Sequence, residues 1–121
     1  MKITELRPML WTESLQETID FYTATLGFTC GERNDDRGWA TLWVDDLSLM
    51  IAKPNEHAKY ERIGFTGSFY LTTDDVDAMW LKVTDNANVC YPIEDFEYGM
   101  REFAVYDNNG YLLQFGQEID N

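Results

Sequence analysis

Residues 101–116, REFAVYDNNGYLLQFG, consist of two apolar-rich stretches on either side of a short polar segment. That segment, Asp107-Asn108-Asn109-Gly110, holds residue types that tolerate a left-handed backbone, which is typical of a β-hairpin turn. Residues 39–52, WATLWVDDLSLMIA, have the same arrangement with Asp45-Asp46 as the turn. The sequence therefore predicts two equivalent hairpins, one late in each half of the chain.

A strand and a helix precede the hairpin of the first half. The strand is predicted from Ile3 to Trp11, and Ser14 with Glu17 forms a capping box at the start of the helix. One face of the helix carries apolar residues at helical spacing: Leu15, Ile19, Tyr22 and Leu26. Gly27 is the expected helix end, because glycine adopts the left-handed conformation at little cost.

The second half repeats this order of elements. A strand is predicted from Ser68 to Thr73, followed by a helix that Asp74 caps. The core face of that helix is expected to hold Val76, Met79, Trp80 and Val83. A strand over Val89–Tyr91 then leads into the hairpin, so each half has the order β-α-β-β-β. A half of this size hardly covers both faces of its own sheet, which predicts that the two modules pack together.

Length and composition indicate one folded domain, and the order of its elements makes it an α+β domain. The chain has 121 residues, of which 45% are hydrophobic and 26% charged, a composition typical of a folded globular protein. We predict a single domain over residues 1–121. The first module covers about 1–53, a polar linker about 54–66, and the second module about 67–121.

The charge of the chain restricts its partners. The net charge is −13, with 10 acidic and 6 basic residues in positions 1–60 and 12 acidic and 3 basic residues in 61–121. Such an acidic chain repels phosphate backbones, so we expect no nucleic-acid partner, whereas a cationic ligand is compatible. Solubility is the alternative explanation of this charge.

We expect no membrane partner, because no stretch approaches the roughly 18 consecutive apolar residues of a membrane span. The charged N-terminus does not resemble a signal peptide, and the two cysteines, Cys30 and Cys90, suit a reducing compartment. Both observations predict a cytoplasmic location.

Three stretches resemble a known superfamily. They are Ile19–Tyr22 with Leu26–Phe28, Asp74–Asp77 after a strand, and Tyr98–Val105 leading into Asp107–Gln117. In order and spacing they are similar to the vicinal-oxygen-chelate superfamily, which includes glyoxalase I, extradiol dioxygenases and bleomycin-resistance proteins. The resemblance implies two βαβββ modules in tandem whose curled mixed sheets surround an open cup. Members of this length are typically homodimers, so a homodimer is expected here.

The resemblance also locates the metal positions of the enzymes in this superfamily. They fall on Arg7, Met50, Ser68 and Gln114. Arginine stays protonated, methionine is a soft thioether, and neutral serine and glutamine are weak ligands for Zn²⁺, Fe²⁺ or Ni²⁺. We therefore expect neither a metal ion nor another cofactor.

No catalytic residue is assigned from the sequence. The single histidine, His57, lies in the linker and is expected to be a solvated residue rather than a general base. One histidine with no nucleophile beside it leaves no conventional catalytic triad. The chain is therefore expected to bind a ligand rather than to act as an enzyme.

Strand alternation from the four metal positions predicts an aromatic lining for the cup. The residues expected to bind ligand are Arg7, Trp11, Trp39, Trp43, Met50, Tyr70, Glu102, Tyr106 and Gln114. Aromatic walls bind planar or cationic groups by stacking and cation–π attraction. The alternative is that some of these rings fill the core or a dimer interface, and Trp80, on the helix face, is expected in the core.

Three functions are compatible with these features. Gly38–Met50, Tyr98–Val105 and the vacated metal positions most resemble the bleomycin-resistance branch, whose members sequester a cationic antibiotic with an aromatic tail without breaking it. The leading hypothesis is therefore a metal-free binding protein for an aromatic or cationic small molecule. The alternative is a glyoxalase-type lyase or isomerase that uses Glu102 or Glu5 with a degenerate or absent metal site. The third is a non-catalytic regulator or immunity-type protein.

Overall fold

The computed structural model describes residues 1–2, 4–55, 61–65 and 67–120, so His57 lies outside the described residues. The chain forms two compact units, Met1–Lys59 and Tyr60–Asn121. Each unit contains its own four-stranded open sheet with mixed strand directions. Among the described residues, no helix is both long enough and apolar enough to cross a membrane.

The first module has the predicted βαβββ order. Its elements are β1 (Met9–Trp11), α1 (Leu15–Asp20), β2 (Thr29–Asn34), β3 (Trp39–Val44) and β4 (Leu47–Ala52). The strand order is β1-β4-β3-β2, with β1 parallel to β4 and the other pairs antiparallel. After α1 the chain continues as a π-helical turn, Phe21–Thr25, and Gly27 follows with the predicted positive φ of 85°.

The second module repeats this topology. Its elements are β5 (Phe69–Thr72), α2 (Val76–Val83), β6 (Asn88–Asp95), β7 (Met100–Tyr106) and β8 (Leu112–Glu118). The strand order is β5-β8-β7-β6, again with one parallel pair, β5 with β8. The prediction of an α+β fold built from two βαβββ modules is therefore confirmed.

The internal repeat is visible in the pairing register of the two sheets. Met9 of β1 pairs with Met50 of β4, and Tyr70 of β5 pairs with Gln114 of β8. Arg7 and Ser68 each lie two residues before the first member of these pairs. The repeat that the sequence indicated for these positions thus holds in three dimensions.

Each helix covers one face of its own sheet. In the first module Ile19, Tyr22 and Leu26 of the predicted helix face are buried, Tyr22 completely, whereas Leu15 is half-buried. In the second module Phe103 of β7 stacks on Phe115 of β8 at 5.1 Å between ring centroids and meets the edge of the Trp80 ring of α2, also at 5.1 Å. Residues next to Phe103 along β7 therefore point to the face opposite α2.

Strand β1 is shorter than predicted. It begins at Met9 rather than at Ile3, and the preceding residues from 4 to 8 form no regular strand. Pro8 has no N–H to donate, although its carbonyl oxygen accepts from the Met50 backbone N–H at 2.8 Å. The ladder therefore ends at the proline.

Helix capping also differs from the prediction. Ser14 is the N-cap residue of α1, but its side chain makes no capping hydrogen bond, so the capping box with Glu17 does not form. Instead the Ser14 backbone N–H donates to Thr12 Oγ1 at 2.9 Å. In the second module the cap is Asp75 rather than Asp74, because the Asp75 carboxylate accepts from the Ala78 N–H at 3.1 Å.

Strand β6 is longer than predicted and irregular. It covers Asn88–Asp95 and includes Pro92, and its pairing with β7 shifts register between Val89 and Tyr91 and again between Tyr91 and Glu94. Such bulges leave room for a proline within a strand. They also move side chains from the face that simple alternation assigns to them.

Gln117 of β8 fixes the start of α2 with two hydrogen bonds. Its Nε2 donates to the Asp74 carbonyl oxygen at 2.7 Å, and its Oε1 accepts from the Val76 N–H at 2.9 Å. Gln117→Ala is expected to lower the free energy of unfolding by about 1–2 kcal/mol, because a helix N–H loses its partner. Urea denaturation measures this loss. The control, Glu118→Ala at the next, exposed position, should change stability by less than about 0.5 kcal/mol; equal losses would contradict the role of Gln117.

Candidate functional site

In the first module, Arg7 is engaged by three neighbours. Its guanidinium pairs with the Glu5 carboxylate at 2.7 Å, and its Nε donates to Ser48 Oγ at 3.1 Å. Its Cζ also lies 5.3 Å from the centroid of the Trp43 ring, which is cation–π distance. Arg7 and Trp43 thus form one partly exposed surface.

The other residues of the first module that were predicted to bind ligand, Trp11, Trp39 and Met50, lie on neighbouring strands of the same sheet. Trp11 and Trp39 flank Ala52 in register, one on each neighbouring strand. Met50 is half-buried and lies between Met9 and Thr41. The Trp43 indole covers Gly31, where an added Cβ would lie 2.9 Å from the indole nitrogen.

In the second module, Glu102 is the centre of a hydrogen-bonded cluster. Its side chain is only 1% exposed, although it is an acid. Tyr70 Oη donates to Glu102 Oε1 at 2.9 Å, the Tyr91 hydroxyl donates to Oε2 through a short bond, and Tyr98 donates as well. We call Glu102 and these three residues the tyrosine–carboxylate cluster.

A chain of hydrogen bonds from Ser68 through Gln114 leads to Tyr91 of the cluster. Ser68 Oγ donates to Gln114 Oε1 at 2.5 Å, and Gln114 Nε2 donates to Tyr91 Oη at 3.0 Å. Because Glu102 only accepts when ionised, Tyr91 must donate to it, and this fixes the direction of every bond in the chain. Ser68 and Gln114 therefore orient Tyr91 against the carboxylate.

Hydrogen bonding keeps the Glu102 carboxyl ionised. Burial raises its pKa, but the hydrogen bonds from Tyr91, Tyr98 and Tyr70 outweigh burial and hold the pKa below its usual value. For the tyrosines the effect is opposite: burial and the bond to Glu102 raise the pKa of Tyr91 to about 12, and that bond with burial raises the pKa of Tyr98 to about 12. Burial and the same carboxylate raise the pKa of Tyr70 further still.

Tyr70 reaches Glu102 because the neighbouring strand has no side chain beneath its ring. A Cβ added to Gly116 would lie 2.8 Å from Tyr70 Cζ, inside the closest approach that carbon atoms tolerate. Gly116 pairs in register with Glu102 on β7 and with Thr72 on β5. The glycine thus allows the ring to lie across the sheet.

The structure brings together only some of the ligand-binding residues that were predicted for the second module. Tyr70, Glu102 and Gln114 share one hydrogen-bonded network, but Tyr106 lies four residues along β7 from Glu102, about 13 Å away at strand spacing. There Tyr106 Oη accepts from the Cys90 thiol at 3.3 Å. Tyr106 is therefore not part of the cluster.

Two residues of the cluster were absent from the predicted site list. Tyr91 reaches the Glu102 face across the bulges of β6, which alternation does not reveal. Tyr98 lies in the turn between β6 and β7, where its ring stacks on Phe96 at 5.4 Å. The only sequence signal was the concentration of aromatic residues between Tyr91 and Tyr98.

The side chains at the four metal positions do not fit a metal centre. Arg7 carries a fixed positive charge, and Ser68 and Gln114 are hydrogen-bonded to each other. Within residues 1–2, 4–55, 61–65 and 67–120, no three His, Cys, Asp or Glu side chains come together as a group that could hold an ion.

Comparison with protein families gives the assignment. Residues 6–115 match the family model of the glyoxalase/bleomycin resistance protein/dioxygenase superfamily. The chain belongs to this superfamily. No curated protein sequence matches it significantly. Membership in the superfamily agrees with the resemblance seen in the sequence, but it does not select one branch.

Solved structures of the superfamily and of uncharacterised proteins share the fold. A protein of unknown function from Agrobacterium tumefaciens str. C58 aligns with a TM-score of 0.81 at 17% identity, covering 98% of this chain and 97% of the other. TioX from Micromonospora sp. ML1 aligns at 0.76 with 20% identity, covering 97% and 100%. A superfamily member from Sphaerobacter thermophilus DSM 20745 aligns at 0.76 with 22% identity, covering 96% and 98%.

Gly116→Ala tests the placement of Tyr70 in this superfamily member. The added methyl group is expected to push the Tyr70 ring away from Glu102 and to cost about 1.5–3 kcal/mol, the usual contribution of a hydrogen bond to a charged group. Tyr70→Phe removes the same bond, so the losses in urea denaturation should combine to less than their sum in the double variant. Gly64→Ala, with no atom within 4 Å of the added Cβ, is the control. Fully additive losses would show that Gly116 and Tyr70 act independently.

The tyrosines of the cluster are expected to ionise late. Their raised pKa values mean that the folded protein favours neutral phenols, so this contribution to stability is complete below about pH 10 and is lost as the pH rises towards about 12. The native protein has seven tyrosines, and its tyrosinate absorbance measures the fraction of them that ionises only above about pH 10. Glu102→Gln should move that fraction to lower pH, because the carboxylate that disfavours tyrosinate is gone. A single transition of all seven tyrosines near pH 10 in the folded protein would contradict the cluster.

Proposed function

We propose that this chain binds an aromatic or cationic small molecule without a metal ion and sequesters it intact, as members of the bleomycin-resistance branch do. The observation that supports this most directly is the state of the four metal positions. Arg7 pairs with Glu5 and Trp43, and Ser68 and Gln114 orient Tyr91. In each module these side chains are engaged with protein neighbours, and none offers a metal ion a good ligand.

Exposed aromatic side chains in both modules give the chain its capacity to bind such a ligand. Trp43, Tyr70 and Tyr98 are 38%, 44% and 61% exposed, which is high for large rings in a folded domain. Each such ring contributes about 0.5–2 kcal/mol when it stacks on a planar group or faces a cation. Exposed rings in each module, Trp43 in the first and Tyr70 and Tyr98 in the second, therefore suit recognition of a ligand with aromatic or cationic parts.

The geometry of Glu102 favours binding over proton transfer. A glyoxalase-type isomerase would need a carboxylate whose pKa lies near the working pH, so that it can accept a proton efficiently. Burial raises the pKa of Glu102, but the three tyrosine bonds hold it below its usual value, which makes the carboxylate a weak base. Absence of turnover of a hemithioacetal by the purified protein is the result that we expect.

Titration with metal-free bleomycin or phleomycin tests the proposal. Either ligand carries aromatic and cationic groups, so we expect quenching of tryptophan fluorescence and a rise in thermal stability. At a hundredfold excess of ligand over Kd the stabilisation should approach about 2.7 kcal/mol. No quenching and no stabilisation at high micromolar ligand would exclude this antibiotic class.

Variants connect that binding to the described surface. Trp43→Ala is expected to weaken binding by about 0.5–2 kcal/mol, a factor of roughly 2 to 30, because one exposed ring is lost. Leu81→Ala removes an exposed apolar side chain from α2 and should leave binding unchanged. Elemental analysis of the purified protein gives a separate readout: about one divalent ion per chain would favour the glyoxalase-type alternative.

The expected homodimer and cytoplasmic location remain predictions. Sedimentation equilibrium of the purified chain tests the first, and fractionation of the producing cell tests the second. Binding of another protein instead of a small molecule, the third hypothesis, would leave the fluorescence titration flat and the chain in a mixed complex.

A further inference from the structure

Glu102 carries a buried negative charge that no cation of the described chain neutralises. Within residues 1–2, 4–55, 61–65 and 67–120, no lysine or arginine forms an ion pair with Glu102. The adjacent Arg101 pairs with Asp77 at 2.9 Å and with Asp95 at 3.0 Å. Phenol hydroxyls alone stabilise the Glu102 charge, and a buried carboxylate ordinarily requires a positive partner as well.

A second carboxylate increases the negative charge at this place. Glu94 of β6 lies directly opposite Glu102 of β7 in the pairing register, and its side chain is exposed. Like charges directly opposite on neighbouring strands are destabilising unless something positive lies between or above them. The surrounding half of the chain, residues 61–121, holds 12 acidic residues and 3 basic ones.

Aromatic rings surround the same carboxylate. The Tyr91 and Phe96 rings lie 5.6 Å apart and tilted, and Phe96 stacks on Tyr98 at 5.4 Å. Tyr70 approaches from β5 on the other side of β7 and β8, where Gly116 lets its ring lie across the sheet. Rings thus flank Glu102 from both edges of the sheet.

The direction of the hydrogen bonds determines which charge these rings attract. The Tyr70 and Tyr91 hydroxyls donate their protons inward to Glu102, so the exposed ring faces of Tyr70 and Tyr98 remain for a ligand. Electron-rich faces and lone pairs attract cations and repel anions. A carboxylate behind the rings strengthens this attraction at low dielectric.

We propose that the tyrosine–carboxylate cluster, together with Phe96 and Glu94, is a subsite for an organic cation, a protonated amine or a quaternary ammonium group of the ligand. The subsite rests on the proposed function, since it names the group by which the sequestered molecule is recognised. The cation lies against the exposed rings of Tyr70 and Tyr98 and supplies the positive charge that Glu102 lacks.

Choline and its neutral isostere 3,3-dimethylbutan-1-ol test the subsite directly. The two molecules have nearly the same shape and differ in a charged nitrogen against a neutral carbon. In NMR titrations of the full chain at constant ionic strength, we expect choline to shift backbone amides of residues 91–102 with a Kd of order 1 mM. The alcohol should bind at least about tenfold more weakly, because cation–π attraction and the carboxylate act only on the charge.

Variants separate the effect of the subsite on choline binding from the effect of the net negative charge of the chain. Glu102→Gln keeps the shape and removes the charge, and it should weaken choline binding about tenfold or more. Glu13→Gln, at an exposed position of the first module, changes the net charge equally and should change the affinity less than about twofold. Tyr98→Ala removes an exposed ring, so it keeps the test available if the buried substitution unfolds the chain; it should weaken binding about threefold to tenfold.

The outcomes distinguish this proposal from the proposed function. Equal affinity for choline and the alcohol, no binding of either, or equal loss in Glu102→Gln and Glu13→Gln would overturn the cation subsite. If bleomycin binds the wild type and Glu102→Gln equally well, the sequestering function stands and the subsite is wrong. If choline binds as expected while bleomycin and phleomycin do not, the subsite stands and the antibiotic class is wrong.

Discussion

The second module is organised around one carboxylate buried in a sheet. Removing Glu102 from water costs several kcal/mol unless its oxygens accept hydrogen bonds from nearby donors. Three tyrosines from β5, β6 and the turn after β6 supply those bonds. Three features bring the phenols to Glu102. Gly116 has no side chain to obstruct the Tyr70 ring, the bulges of β6 place Tyr91, and the Phe96–Tyr98 stack orders the turn after β6.

The positions to which the resemblance assigns metal ligands make other contacts in this chain. In the second module Ser68 and Gln114 form a directed chain of hydrogen bonds that orients Tyr91. In the first module Arg7 lies at cation–π distance from Trp43. One fold can carry different site chemistries, so function must be argued from the side chains rather than from the fold.

The two modules repeat one topology but carry different charges on their sheets. In the first module Arg7, two residues before β1, lies at cation–π distance from an indole; in the second the carboxylate of Glu102 on β7 is buried beneath phenols. The register is the same in both sheets, with Met9 on Met50 and Tyr70 on Gln114. Duplicated modules thus keep their backbone pairing while their exposed side chains diverge, because the pairing depends on backbone hydrogen bonds and a buried face.

The sequence by itself determined the order of elements and the two hairpins, because turn residues and apolar periodicity are local signals. Its resemblance to the superfamily supplied positions 7, 50, 68 and 114. Alternation along regular strands is local as well, so it added Tyr70 and Glu102 as candidates. Tertiary structure alone decided that Tyr91 and Tyr98 join Glu102, that Tyr106 does not, and that β1 stops at Pro8. These outcomes depend on which strand lies beside which and on where bulges shift the register, and such long-range pairing leaves no periodic trace in the chain.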